Sequence, residues 1–138
     1  MSDKITLTAH SDGASKGNPG PAAIGFTIEK EGIVLEECSK YIGETTNNIA
    51  EYTALITTIK RMKILRATDI IIYSDSELAV KQIRGIYKVK NKGLKSLFSE
   101  VMKLLAEFDS FRVIHIPREE NSIADGLANK ALKSISPK

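Results

Sequence analysis

The sequence predicts an α/β fold in which a mixed β-sheet carries helices on both faces. The prediction rests on period-two strand patterns, amphipathic helical segments, and the order of these segments along the chain. That order is three strands, a helix, a strand, two helices, a strand and a helix. With 138 residues, of which 42% are hydrophobic and 27% charged, the chain has the size and composition of one globular domain, residues 1–138.

The first half of the chain contains three predicted strands and a helix. Residues 5–12 alternate apolar with polar side chains, which predicts a strand. Residues 13–21 are rich in glycine and proline and predict a loop. Residues 22–29 and 33–42 flank a short Lys-Glu-Gly connection and are typical of an antiparallel hairpin. Apolar side chains at helical spacing predict a helix over residues 48–65.

The second half alternates strands with helices. Residues 69–73 are almost continuously apolar, which indicates a strand buried on both faces. Helical periodicity follows over residues 77–83 and 94–108. Residues 111–116 predict the last strand, and residues 123–132 the last helix.

The charge distribution indicates which ligands the protein suits, and the cysteine content indicates its cellular compartment. The net charge is +3, and seven basic residues but only one acid lie between residues 81 and 103. Such a cluster is typical either of a phosphate-binding surface or of a solvated helix face. The single cysteine, Cys38, excludes an internal disulfide and favours a reducing compartment, expected to be cytoplasmic. We find no secretory signal pattern, and no apolar run approaches the ~20 residues of a membrane span.

Four acidic residues lie where predicted elements begin or end. Asp12 closes the first strand, Asp75 follows the fourth, and Glu51 and Asp125 lie in the first turns of helices. Each position also has an ordinary structural explanation. Asp12 suits a turn, Asp75 a helix cap, and the other two suit capping boxes in which an acid bonds back to the N-cap amide.

Considered together, the four acids indicate a cation site. If the first and fourth strands are parallel neighbours, their carboxyl ends meet at one edge of the sheet, where ligands commonly bind in α/β folds. Repulsion between two carboxylates 4 Å apart is ~4 kcal/mol at an effective dielectric constant of 20, so a cluster of them requires a cation. Oxygen ligands without histidine or cysteine favour Mg²⁺ or Mn²⁺ over zinc.

Blocks of sequence around these acids resemble the type 1 ribonuclease H family. In chain order they are SDGASKGNPGP at residues 11–21, TTNNIAEY at 45–52, YSDS at 73–76, and IPREENSIAD followed by LAN at 116–129. The blocks occur in family order, and all four acidic positions are filled.

The resemblance implies a fold, an activity and a cofactor. The implied fold is a five-stranded mixed sheet with strand order 3-2-1-4-5 and helices on both faces. The implied activity is endonucleolytic hydrolysis of the RNA strand of RNA–DNA hybrids, giving 3′-hydroxyl and 5′-phosphate ends. The resemblance assigns Asp12, Glu51, Asp75 and Asp125 as catalytic metal ligands for two Mg²⁺ ions, with Mn²⁺ as a substitute.

The resemblance also implies residues that contact the substrate. Asn18, Thr46, Asn47 and Asn48 would lie against the minor groove or the backbone of the hybrid, where the 2′-hydroxyl distinguishes RNA from DNA. Helix capping is the alternative explanation for Asn47 and Asn48. Arg118 is expected to reach a phosphate as the accessory group.

Two features depart from the family pattern. Many bacterial relatives carry a basic, tryptophan-bearing insertion that grips the hybrid, whereas this chain has no tryptophan and passes almost directly into a helix after residue 91. Many relatives also use a histidine upstream of the last aspartate. His115 occupies that position by ungapped counting, but it falls inside a predicted strand, so Arg118 is the preferred candidate.

Other functions are compatible with part of the sequence. The same fold could bind hybrids without cutting them, but such a binder gains nothing from four repelling acids. A DNA-strand-transfer or exonuclease domain on a related scaffold is less consistent with the TTNN and GNPGP segments, and a purely structural protein explains none of the motifs. The sequence therefore predicts a monomeric ribonuclease H that acts on RNA–DNA hybrids and has no membrane partner.

Overall fold

The structure is a computed structural model that describes residues 3–134. Its strands are β1 Thr6–Ser15, β2 Gly20–Lys30, β3 Ile33–Thr45, β4 Asp69–Ser74 and β5 Ser110–His115. Its α-helices are α1 Asn47–Ile64, α2 Glu77–Ile83, α3 Lys92–Leu105 and α4 Ser122–Ser134, and a short 3-10 helix, Arg118–Glu120, precedes α4. The predicted order of strands and helices is confirmed.

The strands form one mixed sheet with the order β3-β2-β1-β4-β5, as predicted. β1 pairs antiparallel with β2 and parallel with β4, and β5 pairs parallel with β4. A turn at Glu31 and Gly32 joins β2 to β3, and both residues have positive φ, 52° and 81°. These backbone angles match the right-handed twist of a hairpin, so the predicted hairpin is confirmed.

Apolar clusters lie on both faces of the sheet and bury the inner sides of the helices. On one face, Leu7 of β1 and Ile70 and Ile72 of β4 join side chains of α1 and α3. On the other face, Ala23 of β2 packs with Leu132 of α4. Burial of this apolar surface is the main force that holds the carboxyl ends of β1 and β4 side by side.

β1 continues beyond the residue where the sequence predicts its end. It runs to Ser15, because Asp12 pairs with Gly25 and Gly13 pairs with Ile24 of β2. The predicted loop is correspondingly shorter, and Asp12 lies inside a strand rather than in a turn. Glycine and serine weaken strand propensity, but hydrogen bonding to a neighbouring strand overrides that local preference.

Other element boundaries shift by a few residues. β3 continues to Thr45, α1 begins at Asn47, and α3 ends at Leu105. Periodicity locates an element but not the hydrogen bonds that end it. Within the described range, no helix is both long and apolar enough to cross a membrane.

The contact between α4 and β2 depends on Gly25. A Cβ atom at Gly25 would lie 2.3 Å from the carbonyl oxygen of Ala124 and 2.5 Å from the nitrogen of Ala128.

We therefore expect Gly25→Ala to lower the free energy of unfolding by about 1–3 kcal/mol, because α4 must move off the sheet. Gly126→Ala is the control. A Cβ there meets no neighbour within 4 Å, so this variant should be more stable by about 1 kcal/mol. Urea denaturation measures the free energy of unfolding of both variants. Equal changes in the two variants would contradict the close contact between α4 and β2.

Candidate active site

Two of the four predicted acids come from neighbouring parallel strands. Asp12 lies in β1 and is 4% exposed, and Asp75 directly follows β4. β1 and β4 pair in parallel up to Ser11 and Ser74, so the two acids come next at the same edge of the sheet. This confirms the expected adjacency of the two strands.

Glu51 reaches this edge from the second turn of α1, not from the first turn as predicted, because α1 begins at Asn47. Its carboxylate oxygen Oε1 accepts a hydrogen bond from the backbone N–H of Gly13 at 2.7 Å, and the residue is 7% exposed. The approach is close because Gly13 has no side chain. A Cβ atom at Gly13 would lie 2.2 Å from the carbonyl carbon of Ala50. The absence of a Cβ at Gly13 thus lets α1 deliver a buried carboxylate beside Asp12.

Asp125 lies in the first turn of α4, which Asn121 anchors to β1. The Asn121 side chain is buried, and its Nδ2 atom donates a hydrogen bond to the carbonyl oxygen of Ser11 at 2.9 Å. The carbonyl oxygen of Asn121 in turn accepts from the N–H of Asp125 at 3.0 Å. Sequence reasoning gave Asn121 no role of its own. Its position before a helix predicts a helix cap, but no pattern in the neighbouring sequence predicts its contact with β1.

The structure brings the acids together. Asp12, Glu51 and Asp75 each offer a carboxylate oxygen within 4.8 Å of the others. Asp125 lies outside that group, but it lines the same depression of about 240 Å³. The term "acidic depression" below means this cavity, which is lined by these four acids, Gly13, Ala14, Asn47 and Arg118.

The alternative explanations of the acids as caps are wrong. Thr46, not Asn48, is the N-cap of α1, and its hydroxyl accepts from the N–H of Ile49 at 3.3 Å. Ser76, not Asp75, caps α2. For Asp125 the predicted cap, Ser122, is already the first residue of α4. Helix capping therefore does not explain why these residues are acidic. Their positions follow from the fold as a whole.

Burial and mutual repulsion change the protonation of the cluster. Loss of solvation, together with the charges of Glu51 and Asp75, raises the pKa of Asp12 to about 10. Burial also raises the pKa of Glu51 to about 8, although the hydrogen bond from Gly13 opposes this shift. Both carboxyls therefore favour a proton, or another cation, at neutral pH.

The donors in the acidic depression fit a hard divalent cation. The ligand atoms in reach are carboxylate oxygens, which is the donor set that magnesium and manganese prefer. Oδ1 of Asp75 is buried without a hydrogen-bond partner among the described residues. A buried carboxylate oxygen without a partner is costly, and a cation supplies what it lacks.

The predicted substrate residues lie beside this depression. Asn18, Thr46 and Asn48 line a second depression of about 230 Å³, together with Asn91. The side-chain oxygen of Asn18 accepts from the N–H of Asn47 at 3.0 Å, which ties the glycine-rich segment to the beginning of α1. Asn91 is the N-cap of α3, and sequence reasoning gave it no role.

Arg118 and His115 take different positions. Arg118 lines the acidic depression, and its Nη2 atom lies 3.5 Å from Oδ1 of Asp125, with 75% of the side chain exposed. His115 is the last residue of β5, as its predicted strand position requires, and it is not among the lining residues. Of these two residues, only Arg118 lines the acidic depression.

The basic cluster spans α2, α3 and the segment between them. Lys81 is paired with Glu77 at 2.7 Å, and its Nζ atom lies 5.1 Å from the ring centroid of Tyr87. Lys88 and Lys95 line an open groove of about 500 Å³ with Tyr87. A phosphate-binding role for the cluster stays a prediction.

Comparison with known sequences identifies the family. A sequence profile described as "Reverse transcriptase-like" matches residues 10–131. Ribonuclease HI of Halobacterium salinarum is 40% identical over 125 residues, which cover 90% of this chain and 63% of that relative. Bifunctional protein Rv2228c of Mycobacterium tuberculosis is 39% identical over 135 residues, which cover 96% of this chain but 36% of that protein. The chain thus spans less than two thirds of the length of these relatives.

Two solved structures resemble this fold over 94% of the chain. RNase H1 from Halobacterium salinarum NRC-1 has a TM-score of 0.91 and 38% identity, covering 94% of this chain and 98% of that one. LC11-RNase H1, solved in complex with an RNA/DNA hybrid, has a TM-score of 0.88 and 42% identity, covering 94% and 99%.

The sheet order and the carboxylates gathered beside β1 and β4 define a protein of the ribonuclease H-like class. Within that class, the chain belongs to the type 1 ribonuclease H family. The profile match over residues 10–131 shows this, together with 34% identity to ribonuclease H of Francisella philomiragia over 98% of this chain and 96% of that relative.

The raised pKa of Asp12 predicts a measurable dependence of stability on pH. This carboxyl has a pKa of about 10 in the folded protein and ~4 when unfolded. Its contribution to stability is therefore complete below about pH 4 and is lost as the pH rises through about 10. Without divalent ions, Asp12→Asn should exceed the wild type in free energy of unfolding at pH 8 by about 1 kcal/mol or more, and this gain should shrink toward pH 4.

Urea denaturation at several pH values measures the difference. Asp109→Asn, at an exposed acid outside the acidic depression, is the matched control and should show no such trend. A destabilised Asp12→Asn at pH 8 would mean that the carboxylate supports the fold.

Proposed function

We propose that this chain is a ribonuclease H, an endonuclease that hydrolyses the RNA strand of RNA–DNA hybrids and leaves 3′-hydroxyl and 5′-phosphate ends. The observation that carries the proposal is the carboxylate cluster of Asp12, Glu51 and Asp75, with oxygens within 4.8 Å, in a chain of this family. The hybrid bound in the structure of LC11-RNase H1 supports this substrate.

We further propose Mg²⁺ as the resident ion, with Mn²⁺ as a substitute, held by Asp12, Glu51, Asp75 and Asp125. Four carboxylates carry twice the charge of one divalent ion, which supports two ions when a phosphodiester is also bound. The ions supply Lewis acidity at the scissile phosphate. Members of the family depend on metal, and the oxygen donors of the acidic depression suit it.

The residues of the chain orient the reacting groups. The hydrogen bond from Gly13 holds the Glu51 carboxylate toward Asp12, and the contact of Asn121 with β1 sets the position of Asp125. Arg118, at the rim of the depression, binds a non-bridging phosphate oxygen of the RNA strand. A group that is fixed before the substrate arrives needs little reorganisation during the reaction.

Substrate selection is assigned to the beginning of α1. Asn18, Thr46, Asn47 and Asn48 present amide and hydroxyl groups beside the acidic depression, where they can meet 2′-hydroxyls and phosphates of the hybrid. Capping by Thr46 does not prevent this role, because a hydroxyl can accept one hydrogen bond and donate another.

We propose that residues 1–138 act as a single domain and as a monomer in the cytoplasm. All four acids come from one chain, so the site needs no second subunit. The single cysteine, Cys38, is compatible with a reducing compartment.

Cleavage of a hybrid with separately labelled strands tests the proposed activity. We expect products from the RNA strand only, with Mg²⁺ or Mn²⁺ present and none in excess chelator. Asp12→Asn should lower kcat by roughly a hundredfold or more, since it removes a central ligand, whereas Asp109→Asn should match the wild type. Cleavage of the DNA strand, or full activity in chelator, would contradict the proposal.

Alanine substitutions at Arg118 and His115 test the accessory assignment. Arg118→Ala should lower kcat about tenfold, which is the size of one charge-assisted contact with phosphate. His115→Ala should stay within about twofold of the wild type, because His115 does not line the depression. Single-turnover cleavage measures both, and a larger loss in the histidine variant would reverse the assignment.

A further inference from the structure

β5 is an edge strand whose outer side is open. It pairs only with β4 in the sheet order of the described residues. The N–H of Ile116 donates to the carbonyl oxygen of Ser74 at 3.0 Å. Because strand hydrogen bonds alternate, the N–H and C=O groups of Phe111 and Val113 point away from β4. An edge with unpaired backbone groups is a template for another strand.

A cleft of about 320 Å³ follows this edge. It lies between β5 and the C-terminal end of α2, with lining residues Ile83, Arg84, Phe111, Arg112, Val113 and Ile114. Ile83 and Val113 are buried, and Phe111 is 40% exposed. The cleft therefore combines an apolar floor with an accessible strand edge.

Two arginines give the cleft a positive charge. Arg84 and Arg112 are both exposed, and neither forms a salt bridge with any acid in residues 3–134. A guanidinium group binds carboxylates through paired hydrogen bonds and is only weakly hydrated. A complementary ligand thus carries carboxylates at its ends or on alternate residues.

We propose that the β5 cleft binds an extended acidic peptide segment of a partner protein, which adds as a strand to β5. Its backbone bonds to Phe111 and Val113, its apolar side chains cover the floor, and its carboxylates meet Arg84 and Arg112. This is strand addition, in which backbone bonds give affinity and side-chain pockets give specificity.

A peptide fits the cleft better than the nucleic-acid substrate does. Phe111 pairs with Ile70 near the beginning of β4, whereas Asp75 follows the end of that strand. At its other end, Ile114 pairs with Tyr73, so the cleft follows most of β5, but none of its lining residues lines the acidic depression. An apolar floor and free backbone groups also suit a peptide more than a phosphate backbone.

Fluorescence anisotropy with the full 138-residue chain tests the proposal. The probe is a fluorescein-labelled hexapeptide, Asp-Phe-Asp-Leu-Asp-Phe. We expect Arg112→Glu and Arg84→Glu each to weaken its binding about tenfold or more, because each removes a charge-assisted contact. Lys133→Glu on α4 changes the charge equally, outside the cleft, and should bind like the wild type.

Two further measurements separate strand addition from simple charge attraction. A peptide methylated at alternate backbone nitrogens should lose affinity, and the amides of Phe111 and Val113 should exchange hydrogen more slowly when the unmodified peptide is bound. Arg112→Glu should leave hybrid cleavage unchanged. The proposal is overturned if the peptide does not bind, if methylation has no effect, or if Arg112→Glu instead weakens binding of the hybrid.

Discussion

The close contact between the first turns of α1 and the backbone of β1 is the constraint on which the site depends. Only a glycine at position 13 permits it, because a Cβ there would lie 2.2 Å from the carbonyl carbon of Ala50. The contact places the N–H of Gly13 against Glu51 at 2.7 Å. It thereby brings a second buried carboxylate toward Asp12, and burial is the main cause of the raised pKa of both acids.

Folding supplies the energy that holds these acids together, whether they repel as carboxylates or take up protons to avoid that repulsion. Two carboxylates at 4 Å repel by ~4 kcal/mol at an effective dielectric constant of 20, which is a large part of the 5–15 kcal/mol by which domains are stable. The core on both faces of the sheet and the contact between Asn121 and Ser11 oppose that repulsion. A site built this way is poorly stable when empty and gains stability from a cation, so metal affinity and fold stability are coupled.

The sequence predicts the topology and the identity of the four acids because both leave local or ordered signals. Period-two and helical patterns locate the elements, and the acids occur in family motifs. Three features could not be predicted. The cap of α1 is Thr46 rather than Asn48, and both residue types cap helices well, so the local sequence does not choose between them. The continuation of β1 past Asp12 and the bond from Asn121 to Ser11 depend on residues distant in sequence. Local propensity carries no information about such tertiary contacts, and each of them adjusts the site.

The most direct test of the central claim, that the acids form one coupled cation site, is calorimetric titration of the protein with Mg²⁺ in buffers of different ionisation enthalpy. With pKa values of about 10 for Asp12 and about 8 for Glu51, the cluster holds protons at pH 7, and a cation must displace them. We expect binding to release protons, and Asp12→Asn to remove about half of that release, because Glu51 still gives up its proton. Binding without proton release in the wild type would contradict the coupled site.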